Sequence, residues 1–386
     1  MIKRHCEKEL IKLAKKFKAV AVVGPRQSGK TTLVKYVFKE KPYISLENPD
    51  TLRFALDDPR GFISQYPEGA ILDEVQRAPE IFSYLQQILD ESTEKGLFIL
   101  TGSNNFILQE SISQSLAGRI AYLFLLPFTL YELPGDELPD IYQMIYQGLY
   151  PPIYDQKIEP YMWYPNYIRT YIERDVRMIK NISNLNLFER FVKLCAGRVG
   201  QLLNMNNLAI EVGVDNKTIS SWLSILENSF VIFRLQPHYQ NFNKRIVKMP
   251  KLYFYDTGLA CSLLGIREAD QLPINPYYGA LFENFIVSEF RKYLHNQARE
   301  PNLFFWRDNT GNEVDLLLEA GKELFPVELK AGKTVTTEFY KGLERWLKIS
   351  GKKSGAVIYA GDEYQKRSKG IEFFPWNKFH PLLSSI

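Results

Sequence analysis

Residues 18–24 read KAVAVVG, a run of small and β-branched apolar residues suited to a strand buried on both faces. Directly after it comes GPRQSGKTTLVKYVFK, in which Gly24 and Gly29 stand five positions apart and Leu33, Val34, Val37 and Phe38 recur at helical spacing. A strand, a glycine-bounded turn and a helix in immediate succession open a parallel sheet, because parallel strands must be joined by crossovers that lay helices on the sheet. This stretch commits the first part of the chain to an α/β fold with a parallel sheet.

The spacing Gly-x-x-x-x-Gly-Lys-Thr also has a chemical use in that setting. Glycines let the loop close around phosphates, with backbone N–H groups and the helix N-terminus facing inward. The expected contacts to a nucleoside triphosphate are Gly24, Pro25, Arg26, Gln27, Ser28, Gly29, Lys30, Thr31 and Thr32. Lys30 would reach the β- and γ-phosphates, and the Thr31 hydroxyl would hold Mg²⁺. The stretch GAILDEVQRAP supplies a second buried strand, ended by Asp73 and Glu74. Asp73 is then placed to hold the Mg²⁺ shell and Glu74 to orient or deprotonate the attacking water, although an acidic pair at a strand end also occurs without such a role. A third strand, GLFILTGSN, ends in Ser103 and Asn104, which would either sense the γ-phosphate or simply lead out of the strand. Arg119 would reach a nucleotide in cis, reach one in a neighbouring subunit as an arginine finger, or pair with a carboxylate. A finger supplied in trans would require a homo-oligomer.

Beyond Leu133 the sequence changes character, through the turn-rich PGDELPD and a stretch dense in Pro and Tyr. NYIRTYIERDVRMIK returns to helical spacing, with Arg169, Glu173, Arg174, Asp175 and Arg177 as a mixed-sign face. NNLAIEVGVDNKTISSWLSILENSFVIFRL has the form of a helix-turn-helix, with Gly213 at the turn and strand-like FVIFRL beyond it as a wing. The exposed positions of the second helix would include Asn216, Lys217, Ser220 and Ser221. From Asn228 to Tyr255 there is no acidic residue, while Arg234, Lys244, Arg245, Lys248 and Lys251 stand alongside Tyr239 and Phe242. A basic strip interleaved with aromatics suits DNA; a winged helix used purely for packing would fit the same pattern.

Between Ala280 and Gly361 the expected order is helix, three strands, helix, strand. Glu328 and Lys330 point to one side of their strand, and Asp315 lies on the strand before it. Two carboxylates and a lysine on one face can bind Mg²⁺ and activate water, or can hold two strands together. Asp then Glu-x-Lys resembles the core of restriction-endonuclease-like nucleases, and Glu283 on the preceding helix matches the additional acid of their junction-resolving relatives. The resemblance implies Glu283, Asp315 and Glu328 as metal ligands, and these three with Lys330 as a cleavage centre.

GPRQSGKTTL, LDEVQRAP, LTGSN and SLAGRIAYLFLLPFTLYEL together resemble a family of AAA-type P-loop ATPases of bacteria and archaea. The resemblance runs on through YIRTYIERDVR, the helix-turn-helix, KMPKLYFYDTGLA and EVDLLLE…PVELKAG, and so covers nearly the whole chain. It implies ATP as the nucleotide, and that choice rests on the resemblance, since the residues show neither a guanine-reading motif nor an adenine reader.

The expected architecture is an ATPase domain over 1–150, a helical and winged-helix domain over 151–265, and a small restriction-endonuclease-like α/β domain over 266–386. At 386 residues the chain is long enough for several cores. Its net charge of +4 neither demands nor excludes a nucleic-acid partner. Cys6, Cys195 and Cys261 have neither disulfide-framework nor zinc spacing. With no signal-like or membrane-spanning apolar run, a cytoplasmic protein without membrane contact is expected. The expected function is Mg²⁺-dependent ATP binding and hydrolysis coupled to DNA binding, with metal-dependent DNA cleavage as a further step. The alternative is a nucleotide-gated switch that binds a protein partner through a catalytically silent nuclease-like domain.

Overall fold

The computed structural model describes residues 2–103, 116–135, 138–172, 184–238, 248–321, 323–367 and 370–384. Its first sheet contains β1 (Ala19–Val23), β2 (Tyr43–Ser45), β3 (Ala70–Asp73), β4 (Phe98–Gly102) and β5 (Ile120–Phe124), in the order β2-β3-β4-β1-β5. Every pairing is parallel, so all five strands end at one edge. Alternate side chains of β1 serve opposite faces. Val20 and Val22 pack with Leu10 and Ala14 of the helix Glu7–Lys16 and with Leu33 and Val34 of the helix Lys30–Val37. Ala19, Ala21 and Val23 face a core that continues without a break into the rest of the chain.

The middle of the chain is helical. Asn204 caps the helix Met205–Val212 by accepting from the Asn207 N–H, and Gly213, at φ 87°, ends it in the left-handed region. Asp215 then caps the helix Asn216–Asn228 by accepting from Thr218 N–H. Leu208, Ala209, Val212, Ile219, Leu223 and Leu226 form the buried seam between the two helices. The strand that follows, β6 (Ile232–Pro237), pairs antiparallel with β7 (Lys251–Phe254) and parallel with β8 (Leu303–Arg307). FVIFRL is thus built into a larger sheet, which covers an apolar strand that a free-standing wing would leave wet.

That sheet adds β9 (Glu313–Ala320), β10 (Glu323–Lys330), β11 (Gly355–Tyr359), β12 (Gln365–Lys366) and β13 (Ile371–Pro375), in the order β12-β13-β11-β10-β9-β8-β6-β7. The long helix Tyr278–Asn296 packs against β7 and β10 on one side and against β5 of the first sheet on the other. Three of its buried polar residues are tied to main chain: Glu289 accepts from Leu130 N–H at 2.7 Å, and Lys292 donates to the Phe128 carbonyl at 2.9 Å. Glu289 and Lys292 also pair with each other. Asn284 closes both bonds of the Phe254 main chain, at 2.7 and 2.8 Å. No helix among the described residues is long and apolar enough to cross a membrane.

At the end of the long helix the His295 ring packs against Phe124, tilted by 52° with centroids 5.0 Å apart. Burial first, and the charge of Arg291 second, hold the His295 pKa down to about 3. An unfolded chain binds that proton near pH 6.5, whereas the folded chain excludes it. Stability is expected to fall as pH drops from 6.5 towards 3, by at most ~1.4 kcal/mol per pH unit from this group. His295→Phe should flatten that part of the curve in urea unfolding measured across the same pH range.

Candidate active site

The loop between β1 and the helix Lys30–Val37 lies at the edge where the parallel strands end. Gln27 and Gly29 both sit in the left-handed region, at φ 60° and 91°, which wraps the loop back over itself. A Cβ on Gly24 would lie 2.0 Å from the Leu125 carbonyl oxygen, so only glycine fits where β1 and β5 run out together. The Lys30 ammonium is folded under the loop and donates to the carbonyls of Gly24 and Pro25, at 3.0 and 2.8 Å. Burial drives its pKa down to about 8 against the opposing pull of Glu74 and Asp73. The Ser28 hydroxyl is buried and has no hydrogen-bond partner among the described residues. A buried hydroxyl without a partner inside a glycine cradle is chemistry that a phosphate oxygen would satisfy.

Asp73, at the end of β3, gathers three hydroxyls. Thr31 lies 3.1 Å from each carboxylate oxygen, Tyr43 donates at 2.5 Å, and Thr101 donates from the neighbouring strand β4. A carboxylate and a threonine hydroxyl side by side are hard oxygen donors of the kind Mg²⁺ takes, so the residues fit the metal. Glu74 follows in the left-handed region, at φ 56°, a conformation unusual for a glutamate and the sort held in place at functional sites. Its main-chain N–H donates to Thr101 at 3.3 Å, and its carboxylate accepts from Ser103 at 3.0 Å and from Gln76. The turn thereby brings Lys30, Thr31, Asp73, Glu74 and Ser103 together. Asn104 lies outside the described residues.

Arg119 stands elsewhere. It directly precedes β5 and so lies at the starting edge of the sheet, a strand length away from the loop. There it pairs with Asp90, one bond measuring 2.9 Å, and donates to the Ala117 carbonyl. Its own chain's loop is out of reach. Four contributors carry no spacing signal in the sequence. Arg4 donates to the Ser28 carbonyl at 2.8 Å, Tyr43 and Thr101 orient Asp73, and the Trp163 indole donates to the Gln27 side chain at 3.1 Å. Each comes from a distant part of the chain.

In the C-terminal sheet, Asp315 on β9 and Glu328 and Lys330 on β10 do converge. Lys330 lies 2.6 Å from Glu328 and 3.8 Å from Asp315, and Asp315 accepts from Leu329 N–H at 2.8 Å. Burial, then Asp315, push the Glu328 carboxyl up to about 8 despite Lys330. Glu283 instead faces Lys251, at 2.8 Å, in a group that also contains Glu313 and Asp315. Burial opposes charge on Lys251, but Glu283, Tyr253, Asp315 and Glu313 together hold its pKa well above the ordinary value. Lys251 is therefore buried among carboxylates and not on a basic strip open to nucleic acid. Arg234, of the same strip, is bound by both oxygens of Glu227 at 2.7 Å. Tyr239, Phe242, Lys244 and Arg245 lie outside the described residues, as do Glu173, Arg174, Asp175 and Arg177.

Residues 16–134 match an AAA domain, 138–270 a domain of unknown function (DUF8612) and 278–379 a second domain of unknown function (DUF4143). Two mycobacterial proteins, "Uncharacterized protein Rv2008c" of Mycobacterium tuberculosis and "Uncharacterized protein Mb2031c" of Mycobacterium bovis, are each 31% identical to this chain over 348 residues. The match covers 89% of this chain and 76% of each of theirs. The chain belongs to their family. It joins an AAA-type P-loop ATPase domain to a C-terminal domain of unknown function. An "Uncharacterized protein" of Haemophilus influenzae is 24% identical over half of each chain. Among solved structures, the Walker-type ATPase PABY2304 of Pyrococcus abyssi is similar at 15% identity, over 68% of this chain and 96% of its own, with a TM-score of 0.42. RuvB of Thermotoga maritima is similar at 15% identity, over 60% of this chain and 90% of its own, with a TM-score of 0.28.

The approach of Gly24 to Leu125 gives the loop a direct test. Gly24→Ala is expected to destabilise by roughly 1–3 kcal/mol, the cost of overpacking a site that cannot relax. Gly279→Ala, on the long helix with open space around it, should be neutral or stabilising by up to ~1 kcal/mol. Urea midpoints of the two variants against the parent chain separate these outcomes.

Proposed function

We propose that the chain binds ATP with Mg²⁺ and hydrolyses it at the loop between Gly24 and Thr32. The observation that carries this reading is the meeting of Thr31 and Asp73, 3.1 Å apart, beside the buried Lys30 at the mouth of a glycine-bounded loop. Lys30 would exchange the carbonyls of Gly24 and Pro25 for phosphate oxygens, so its charge would be handed from loop to ligand without crossing water. Ser28 and the loop N–H groups would take further phosphate oxygens. Thr31 and Asp73 would hold Mg²⁺, which when bound neutralises phosphate charge. Glu74, fixed by Ser103 and Gln76, would orient the water or accept its proton. With Ser103 on Glu74, the role proposed for Ser103 is to place that carboxylate as the γ-phosphate comes and goes.

Coupling to DNA is the proposed use of the cycle, supported by the exposed Asn216, Lys217 and Ser220 on the second helix of the helix-turn-helix. The restriction-endonuclease-like reading of the last domain rests on Asp315, Glu328 and Lys330 sharing one patch of adjacent strands. Cleavage is not included in the proposal, because Lys251 already holds Glu283 and Glu313.

Two variants test the ATPase. Lys30→Ala is expected to weaken ATP binding about 10- to 100-fold, the worth of one lost charge-assisted hydrogen bond at ~1.5–3 kcal/mol. Glu74→Gln should bind ATP as the parent does yet lower phosphate release by roughly 10²–10⁴-fold. Phosphate release from Glu74→Gln at the parent rate would remove Glu74 from the reading. For DNA, Lys217→Gln should weaken duplex binding alike at every sequence and lower the salt slope by about one. No duplex binding by the parent chain at low salt would favour a protein partner instead.

A further inference from the structure

Lys251 is the first residue of β7 and comes directly after the segment that follows the helix-turn-helix. It is 2% exposed. Its Nζ lies 2.8 Å from Glu283 of the long helix, pairs with Glu313 of β9, and stands 4.0 Å from Asp315 of the same strand. Those three acids each offer an oxygen within 4.8 Å of the others, a spacing at which carboxylates share one cation. The ammonium sits among them. Tyr253, two residues along β7, donates to the same oxygen of Glu283 that Lys251 holds, and the Phe305 ring lies 5.6 Å from Nζ.

A divalent ion on these acids would need ligand oxygens at about 2.0–2.6 Å, and so would occupy the space where Nζ already lies. The Lys251 side chain is almost wholly buried, and its strand is held by β6, through the Leu235–Lys251 pair, and by a bridge to Leu202. The remaining acid, Glu328, has its own ammonium in Lys330, although its second oxygen is buried without a partner among the described residues. The metal set expected from Glu283, Asp315 and Glu328 is thus divided between two lysines, and a metal does not fit beside Lys251.

We propose that Lys251 is a tethered cation that fills the metal position of this carboxylate cluster. A cluster with the acids of a metal centre thereby stays assembled without a divalent ion and has no place for one among Glu283, Glu313 and Asp315. The ammonium joins three elements that are distant in sequence: β7, which pairs with the strand leaving the helix-turn-helix, the long helix that grips the ATPase domain, and β9 of the C-terminal sheet. Removing the charge while keeping the stem, as in Lys251→Met, would leave an empty site of hard oxygen ligands suited to Mn²⁺.

The test is Mn²⁺ binding to the full chain without nucleotide, with the free ion counted by electron paramagnetic resonance. The parent chain and Asp315→Asn are expected to bind Mn²⁺ identically, since neither offers the cluster to a metal. Lys251→Met should bind one further Mn²⁺, lost again in Lys251→Met/Asp315→Asn, and its melting temperature should rise with added Mn²⁺ while that of the parent does not. Asp315-dependent Mn²⁺ binding by the parent chain would overturn the proposal, and so would a folded Lys251→Met that takes up no additional ion. If Lys251→Met does not fold, the comparison of the parent with Asp315→Asn decides alone. ATP turnover does not enter the readout, so this result and that of the ATPase reading stand apart.

Discussion

One buried guanidinium joins the phosphate loop to the rest of the molecule. Arg4 donates to the Ser28 carbonyl and the Leu126 carbonyl, each at 2.8 Å, and to Glu132 at 3.0 Å, with the Phe128 ring 4.8 Å from its central carbon. Glu132 also accepts from the N–H groups of His5 and Thr129, at 2.7 Å each. Burial disfavours the charge on Glu132, yet Arg4 and those N–H groups outweigh it and keep its pKa below the ordinary value. A pair this deeply buried is justified by geometry more than by net energy, because removing either partner strands the other at a cost of about 3–5 kcal/mol. Its consequence here is positional: the loop cannot shift without disturbing the chain that leaves β5.

That chain is also what the C-terminal half holds. Phe128 and Leu130, between Leu126 and Glu132, offer their carbonyl and N–H to Lys292 and Glu289 of the long helix. Nearer its start the same helix carries Glu283, which faces Lys251. The nucleotide loop and the carboxylate cluster are therefore connected through charged groups on main-chain atoms and a single rigid helix. Packing of this kind has few intermediate arrangements, since each buried charge must keep a partner.

How much of this could be read from the sequence differs between the two sites. The strand–loop–helix unit is local, so residues 19–37 disclose its fold, and the place of Asp73 and Glu74 follows because a strand end is a predictable place. Arg4 is not legible: it is one cation in MIKRHCEKELIKLAKKFK, and only the tertiary fold makes it the buried one. Tyr43 and Thr101 become partners of Asp73 only because β2 and β4 flank the strands they do. In the C-terminal sheet, Glu328 and Lys330 share a face by strand period, and Asp315 is adjacent by hairpin register. Lys251 had the opposite meaning in sequence, as one charge in a stretch without acids.

The sequence alone determined the α/β class, the phosphate loop and the helix-turn-helix, because each is set by neighbours along the chain: glycine spacing, hydrophobic period and capping residues. Tertiary structure decided which charges are paired and which are free. It sent Arg119 to Asp90 at the far edge of the sheet, Arg234 to Glu227 and Lys251 to three carboxylates. The physical reason is that a buried charge takes its identity from whatever lies within a few ångströms, and those partners come from segments that only folding brings together.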